Sequence, residues 1–363
     1  MSIQETITKE KLVTQTKNEF QKAGYSLWNE NFQSGAFDFI AKKNELIREK
    51  SNPQKIITKV VVDLDFFKKQ NSIDLQLISK LISGFPLLIS QLATQKHIEK
   101  GTLYRRHNIS AISLKTLQMF LQYEKGLESA KISKFTHRGG VYVNLSKEEF
   151  KTRRRQLELN ITLLAKKVGI SRQSLYKYEK GESFPKTKYF KKICEILGNN
   201  LDVPIDILEN QFKDICQQTL EDYKQPRSQL QKEITNYLTD KEFDVLWFKS
   251  EPFDGLSKPI TSSFPSKDKI DTIYPVITGV TSSNDENDSD RLLLIKSLSN
   301  FLQKKAIWFL DDDYDLKNID SSQNVPQLTM INISDLEGMG HIDFKNILNR
   351  KKAPKIQGNQ KTN

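Results

Sequence analysis

Residues 163–185 read LLAKKVGISRQSLYKYEKGESFP, and this stretch decides the architecture at the centre of the chain. Asn160 is placed to cap a helix over residues 161–168, and Gly169 permits the left-handed backbone of a tight turn. Ser171 can cap the next helix, which should end at Gly181. Two short helices joined by a three-residue turn predict a helix-turn-helix.

The residues on either side extend this pattern into a helical domain. Ser146 and Glu149 form a capping box, so a first helix should begin there, with Phe150 and Leu157 on its buried face. A fourth helix should follow Pro185 and end at Gly198, with three apolar residues inside: Phe190, Ile193 and Leu197.

From about Glu149 to Leu208, the chain resembles the phage-repressor-like (lambda repressor/Cro-type) helix-turn-helix family. The resemblance rests on the quoted segment, in which Ala165 is small where the helices cross and Leu175 is apolar where they meet. It implies a central five-helix domain whose third helix enters the major groove of DNA. Lys186 departs from the family, which usually has a short polar cap there, so the fourth helix could start late.

The third helix supplies the candidate base-reading residues. The resemblance places Arg172, Gln173 and Lys177 on its outer face, and Arg and Gln can pair bidentately with guanine and adenine. Six further side chains are candidates for phosphate or sugar contacts: Ser171, Ser174, Tyr176, Lys166, Lys167 and Arg155. The alternative for each residue is an ordinary solvated position on a helix surface.

Two charged residues are assigned to structure instead of DNA contact. The family resemblance places Arg154 opposite Glu179 as an ion pair that braces the first helix against the third.

Charge distribution supports a polyanionic partner. The 363 residues carry a net charge of +11, with 37% hydrophobic and 28% charged residues. Between residues 146 and 197, fourteen Lys and Arg stand against six Glu, so most of the excess lies in one short segment. Concentrated positive charge releases counterions from nucleic acid and so favours binding. A solvated helical surface is the alternative.

Composition also excludes several classes of protein. Mean hydropathy is −0.56, and no apolar run is long enough to span a membrane. The N-terminus, MSIQETITKE, lacks a signal peptide, so we expect a cytoplasmic protein. The two cysteines form no CxxC pair, and the four histidines lack ligand spacing. A phosphate-binding glycine loop is also missing, so we expect neither metal nor cofactor.

The helix-turn-helix, assigned to residues 145–210, lies between two predicted α/β domains over residues 1–130 and 232–348. The order of helix and strand signals is similar in both, which favours a diverged duplication. Residues 349–363 read as a basic disordered tail. The predicted fold class is therefore α/β plus all-α.

The first α/β domain also resembles the core of restriction-endonuclease-like folds, at Phe37-Asp38-Phe39 and the β-branched strand after it. Such nucleases need Glu-x-Lys on the second strand, so that two carboxylates hold Mg²⁺ and the lysine polarises the phosphate. That strand reads Lys59-Val-Val-Val-Asp63, and the second copy reads Pro275-Val-Ile-Thr-Gly279. Neither has the motif, so we expect a nuclease-like fold without catalysis.

The whole layout resembles the archaeal HTH-type transcriptional regulators. That resemblance implies sequence-specific binding of double-stranded DNA. A nuclease targeted by its helix-turn-helix and a protein–protein adaptor are the alternatives. A single helix-turn-helix reads half a site, so we also expect a homodimer, with Leu87-Leu88-Ile89 and Ile307-Trp308-Phe309 as apolar edge material.

Overall fold

A computed structural model describes eleven stretches of the chain: residues 8–28, 30, 35–43, 55–208, 217–249, 251–260, 274–281, 288–312, 328–340, 344 and 346. The predicted tail, residues 349–363, lies outside them. By their contacts, the described residues form two compact units. The first unit takes its residues from Met1–Leu27, Ala41–Ser72 and Phe85–Lys213, and the second from Trp28–Ile40, Ile73–Gly84 and Asp214–Asn363. No helix among the described residues is long and apolar enough to cross a lipid bilayer.

The N-terminal sheet is built from β-branched and aromatic segments bounded by turns. Its strands are β1 (Tyr25–Trp28), β2 (Phe39–Lys43), β3 (Lys55–Asp63), β4 (Phe85–Ala93), β5 (Lys96–His97), β6 (Thr102–Arg106), β7 (Ile109–Ile112), β8 (Lys134–His137) and β9 (Gly140–Val143). Their order is β1-β2-β3-β4-β7-β6-β8-β9, and β5 pairs with β4. The central pairs β3–β4 and β4–β7 are parallel, and a helix connects β3 to β4. The helices of this region are α1 (Lys9–Lys22), α2 (Lys69–Leu81) and α3 (Leu114–Tyr123).

The central helices follow the sheet. They are α4 (Lys147–Gln156), α5 (Ile161–Val168), α6 (Arg172–Lys180) and α7 (Thr187–Leu197). The five-helix expectation is not confirmed, because the described residues between 144 and 208 contain these four helices. The fourth helix starts at Thr187, and Lys186 occupies its N-cap position without a side-chain hydrogen bond.

The second sheet has five strands in the order of the sequence. They are β10 (Phe243–Trp247), β11 (Gly255–Pro259), β12 (Val276–Val280), β13 (Ala306–Leu310) and β14 (Leu328–Asn332). The pairs β12–β13 and β13–β14 are parallel, as are β3–β4 and β4–β7 of the first sheet. The helices are α8 (Gln217–Lys224), α9 (Gln229–Asp240), α10 (Asp288–Leu302) and α11 (Ile333–Glu337).

Two N-terminal segments belong to the second unit. The Trp28 indole N–H donates to Ser297 Oγ at 3.0 Å, and the Tyr223 hydroxyl donates to Asp74. The Glu251 carboxylate accepts from the Ala36 amide at 3.2 Å. These long-range hydrogen bonds join Trp28, Ala36 and Asp74 to helices and a loop of the C-terminal region, which no local sequence signal predicts.

The prediction that two apolar segments lie at sheet edges, available for a dimer contact, is wrong. Strand β4 lies between β3 and β7, and β13 lies between β12 and β14, so both are interior strands. Their apolar residues are almost completely buried, from Leu87 to Ile89 and from Ile307 to Phe309. Long apolar runs are typical of central strands in parallel sheets, because both faces are covered.

Candidate nucleic-acid interface

Local capping positions helix α6, the third helix of the central group. Asn160 Oδ1 accepts from the Leu163 amide at 2.7 Å and starts α5, and Ser171 Oγ accepts from the Ser174 amide at 3.0 Å and starts α6. Gly169 ends α5 with φ +78°, and Gly181 ends α6 with φ +73°. Glycine adopts these left-handed conformations without a Cβ penalty, so the two helices are held at a defined turn.

A small apolar core fixes which face of α6 is exposed. Leu175 is 0% and Tyr178 is 8% exposed on the inner face of α6. They pack with residues from the neighbouring helices and the N-terminal approach to α4: Leu145, Phe150, Leu164, Ala165, Val168, Ile193, Leu197 and Leu201. Because side chains at helical spacing share a face, this burial leaves the opposite face of α6 to solvent.

The residues proposed to read bases lie on that outer face. The structure exposes Ser171, Arg172, Gln173, Tyr176 and Lys177, while Ser174 is half-buried. Among the described residues, no partner holds the Arg172 guanidinium or the Gln173 amide. The hydroxyls of Ser171 and Ser174 are 2.9 Å apart, and Lys180 Nζ lies 5.5 Å from the centre of the Tyr176 ring.

Further cations lie at the ends of the two preceding helices. Lys166 and Lys167 are exposed in the last turn of α5, and Arg155 is exposed in the last turn of α4. Cations in a last turn also interact favourably with the helix dipole, so these positions serve helix stability even without a ligand.

Arg154 and Glu179 form a two-pronged ion pair between α4 and α6. Arg154 Nε donates to Glu179 Oε2 at 2.8 Å, and Nη2 donates to Oε1 at 3.0 Å. Arg154 Nη1 also donates to the Leu159 carbonyl at 2.7 Å. The two side chains are only 12% and 13% exposed, so both are committed to this contact and are not available to DNA.

The prediction that Leu157 lies on the buried face of the first helix is wrong. Phe150 is fully buried, but Leu157 is 51% exposed. Helix α4 ends at Gln156, and Glu158 takes a positive φ of +52°. The chain therefore turns before Leu157 could continue the buried face.

Sequence reasoning missed a β-hairpin that packs against the helix-turn-helix. Strands β8 and β9 pair antiparallel around a turn at Arg138 and Gly139. The Val143 amide donates to the Pro185 carbonyl at 3.0 Å, and Tyr142 forms an isolated bridge with Lys186. The alternation of polar and apolar residues around Arg-Gly-Gly is the signal that could have predicted this hairpin.

The nuclease-like positions of the N-terminal sheet lack an arrangement for metal. Both oxygens of Asp63 accept backbone N–H groups, from Asp65 at 3.0 Å and Gln95 at 2.9 Å. Two residues before the buried Lys59 stands Ile57, which is fully buried. Across the described residues, no group of three or more His, Cys, Asp or Glu is placed to hold a metal ion.

In the second unit, Arg291 of helix α10 forms ion pairs with Asp254 and Asp288. Arg291 Nη2 donates to Asp254 Oδ2 at 2.5 Å, and Nη1 donates to Asp288 Oδ1 at 3.2 Å. An acidic side chain does not fit at Gly279, because a Cβ there would overlap Trp308 Cε3 and lie 2.7 Å from Ile295 Cδ1. A guanidinium and a packed indole therefore occupy the space near Asp254.

Comparisons with known families match two separate parts of the chain. Residues 9–126 match the PD-(D/E)XK superfamily domain, and residues 150–203 match the helix-turn-helix family. The flanking α/β region is thus similar to restriction-endonuclease-like domains. No solved structure matches the chain.

Whole-chain similarity extends to archaeal proteins that share one name, "Putative HTH-type transcriptional regulatory protein". The protein from Pyrococcus horikoshii is 30% identical over 248 residues, which cover 68% of this chain and 73% of that protein. Those from Pyrococcus furiosus and Methanocaldococcus jannaschii are each 25% identical, over 84% and 78% of this chain and 88% and 81% of theirs. Since the Pyrococcus horikoshii match is 30% identical and covers 68% of this chain and 73% of that protein, the chain belongs to this family of archaeal HTH-type transcriptional regulatory proteins.

Proposed function

We propose that the protein is a sequence-specific DNA-binding transcriptional regulator that places α6 in the major groove of duplex DNA. The observation that carries the proposal is the outer face of α6, which begins with the exposed Arg172 and Gln173. Arginine can pair bidentately with guanine O6 and N7, and glutamine with adenine N6 and N7. With its side chains an α-helix is ~10–12 Å across, which matches the ~12 Å width of the groove.

The other exposed residues position the helix without reading sequence. Lys166, Lys167 and Arg155 are placed to neutralise phosphates on either side of the groove. Ser171, Ser174 and Tyr176 contact phosphate or sugar where α6 enters the groove, and Lys177 shares the outer face with Arg172 and Gln173. The Arg154–Glu179 pair serves this surface indirectly, because it holds α4 and α6 in a fixed arrangement.

The test compares two classes of variant on one panel of duplexes. Arg172→Ala and Gln173→Ala should each cost ~1–3 kcal/mol at the preferred sequence and relax specificity there. Lys166→Ala or Lys167→Ala should weaken binding to all duplexes alike and reduce the salt dependence. If the Arg172→Ala, Gln173→Ala double variant keeps the wild-type ranking of sequences, base reading by α6 is refuted.

A homodimer is part of this proposal. One chain carries one helix-turn-helix, which reads about half of a site, and paired half-sites about one helical turn apart need a second copy. A cytoplasmic location is also part of the proposal, because the chromosome of an archaeal cell lies in the cytoplasm.

Cleavage of DNA is the second candidate function, because residues 9–126 match the PD-(D/E)XK superfamily domain. We propose that the two α/β domains are diverged copies of one nuclease-like domain without catalysis. Support comes from the shared parallel arrangement of their central strands, the occupied carboxylate oxygens of Asp63 and the Arg291 guanidinium at Asp254. Plasmid DNA incubated with the protein and Mg²⁺ or Mn²⁺ should stay intact; cleavage that Lys59→Ala abolishes would favour the nuclease.

A further inference from the structure

The hairpin β8–β9 is joined to the helix-turn-helix at the loop that leaves the recognition helix. Besides the Val143–Pro185 hydrogen bond, the Thr187 hydroxyl donates to the Val141 carbonyl at 3.3 Å. Phe135 packs edge-on against Phe184, with 5.1 Å between ring centres. Backbone and aromatic contacts on both strands therefore fix the hairpin to residues 184–187.

The face of the hairpin that meets this loop is aromatic, and the loop places a cation beside it. Register pairs Phe135 with Tyr142 and His137 with Gly140, so these residues share one face. Lys186 Nζ lies 6.0 Å from the centre of the Tyr142 ring, and the His137 ring lies 6.3 Å from it. Residues 134–143 contain no acidic residue, and the loop at residues 181–186 has only Glu182.

The tip of the hairpin carries an exposed cation in an unfavourable backbone position. Arg138 has φ +44° and Gly139 has φ +73°, the pattern of a type I′ turn. Asn-Gly is the preferred pair for that turn, because a side chain such as arginine disfavours positive φ. The turn therefore has a cation where the conformation alone would favour asparagine.

The position of the hairpin relative to a bound duplex follows from the width of a helix in the groove. With its side chains a helix is ~10–12 Å across, so in a groove of ~12 Å it lies between the two sugar–phosphate strands. The loop after α6 must therefore pass a phosphate strand, and the hairpin is packed on that loop.

We propose that the hairpin is a wing whose tip, through Arg138, binds the phosphate backbone of DNA beside the site occupied by α6. The inference rests on the proposed function, since it adds a second contact to the same complex. The ligand is the sugar–phosphate backbone of duplex DNA, so the contact adds affinity and no base preference.

Arg138→Asn in the full-length protein tests this proposal cleanly, because asparagine suits the turn and removes the cation. The thermal midpoint should be unchanged or higher than that of the wild type. Binding to a mixed-sequence duplex should lose one phosphate contact, so the salt slope should fall by ~0.9. Between about 50 and about 200 mM salt, the wild type should then lose about three- to fourfold more affinity than the variant.

Two further variants serve as controls. Arg138→Lys keeps the charge and the strained turn and should retain the wild-type salt slope. Lys96→Asn removes an equally exposed cation beside another turn with positive φ, at Thr94 and Gln95, and should also bind as the wild type does. Hydroxyl-radical footprints should lose protection outside the central site only with Arg138→Asn.

The outcomes separate this inference from the function on which it rests. If the wild type binds the duplex and Arg138→Asn keeps its salt slope and footprint, the wing is refuted and the regulator stands. If the wild type does not bind duplex DNA at all, both proposals fail.

Discussion

Replacing Arg154 with alanine should destabilise the helix-turn-helix by about 3 kcal/mol. The substitution removes both hydrogen bonds to Glu179, at 2.8 and 3.0 Å, and the 2.7 Å bond to the Leu159 carbonyl. The Glu179 side chain is 13% exposed, so its carboxylate would keep most of its desolvation penalty without a partner. Breaking a buried pair by removing one partner typically costs ~3–5 kcal/mol, and the residual exposure favours the lower end.

Chemical denaturation and amide hydrogen exchange can measure this effect together. Exchange at Leu164 and Leu175, both fully buried, reports the opening of the helix-turn-helix itself. Arg155→Ala is the matched control, because Arg155 lies in the same helix but is exposed, and its loss should cost less than ~0.5 kcal/mol. A double-mutant cycle of Arg154→Ala and Glu179→Ala should give a coupling free energy of about 2 kcal/mol between the two residues. A coupling within error of zero, or equal effects of Arg154→Ala and Arg155→Ala, would refute the brace.

Three further predictions concern other parts of the chain. Gly279→Ala should lower the stability of the second unit by ~1–3 kcal/mol, because the added Cβ would overlap Trp308 and Ile295. An unchanged denaturation midpoint would contradict this packing. Burial raises the pKa of the Cys194 thiol, so less of it is thiolate near pH 8 than in free cysteine. In a Cys216→Ser variant, alkylation of Cys194 by iodoacetamide near pH 8 should therefore be slower than that of free cysteine. The alkylation rate should rise only at higher pH. Analytical ultracentrifugation should find two copies of the full chain on a duplex containing paired half-sites, and a one-to-one complex at saturation would exclude the dimer.

The elements with local signals could be predicted closely from the sequence. Asn160, Ser171, Gly169 and Gly181 act through hydrogen bonds and backbone angles within a few residues, and each occupies the predicted cap or turn. The same holds for the inner face of α6, where Leu175 and Tyr178 follow helical periodicity.

Features that depend on distant partners could not be predicted in this way. The segments Leu87–Ile89 and Ile307–Phe309 are equally apolar whether a strand is at the edge or inside a sheet, and only pairing with neighbouring strands decides. The wing hairpin, residues 134–143, is short, and its place beside Pro185 depends on tertiary contacts. The lack of Glu-x-Lys can be read from the sequence, but the Gln95 backbone N–H that donates to Asp63 is distant in sequence and is seen only in the structure.

Genome-wide occupancy of the tagged, full-length protein tests the central claim most directly, measured beside the Arg172→Ala, Gln173→Ala double variant at equal abundance. We expect the wild type to occupy discrete sites that share one motif, arranged as two half-sites about one helical turn apart. The double variant should lose these sites while it keeps diffuse, salt-sensitive binding to DNA. Diffuse occupancy by the wild type, or the same discrete sites for both proteins, would contradict sequence reading by α6.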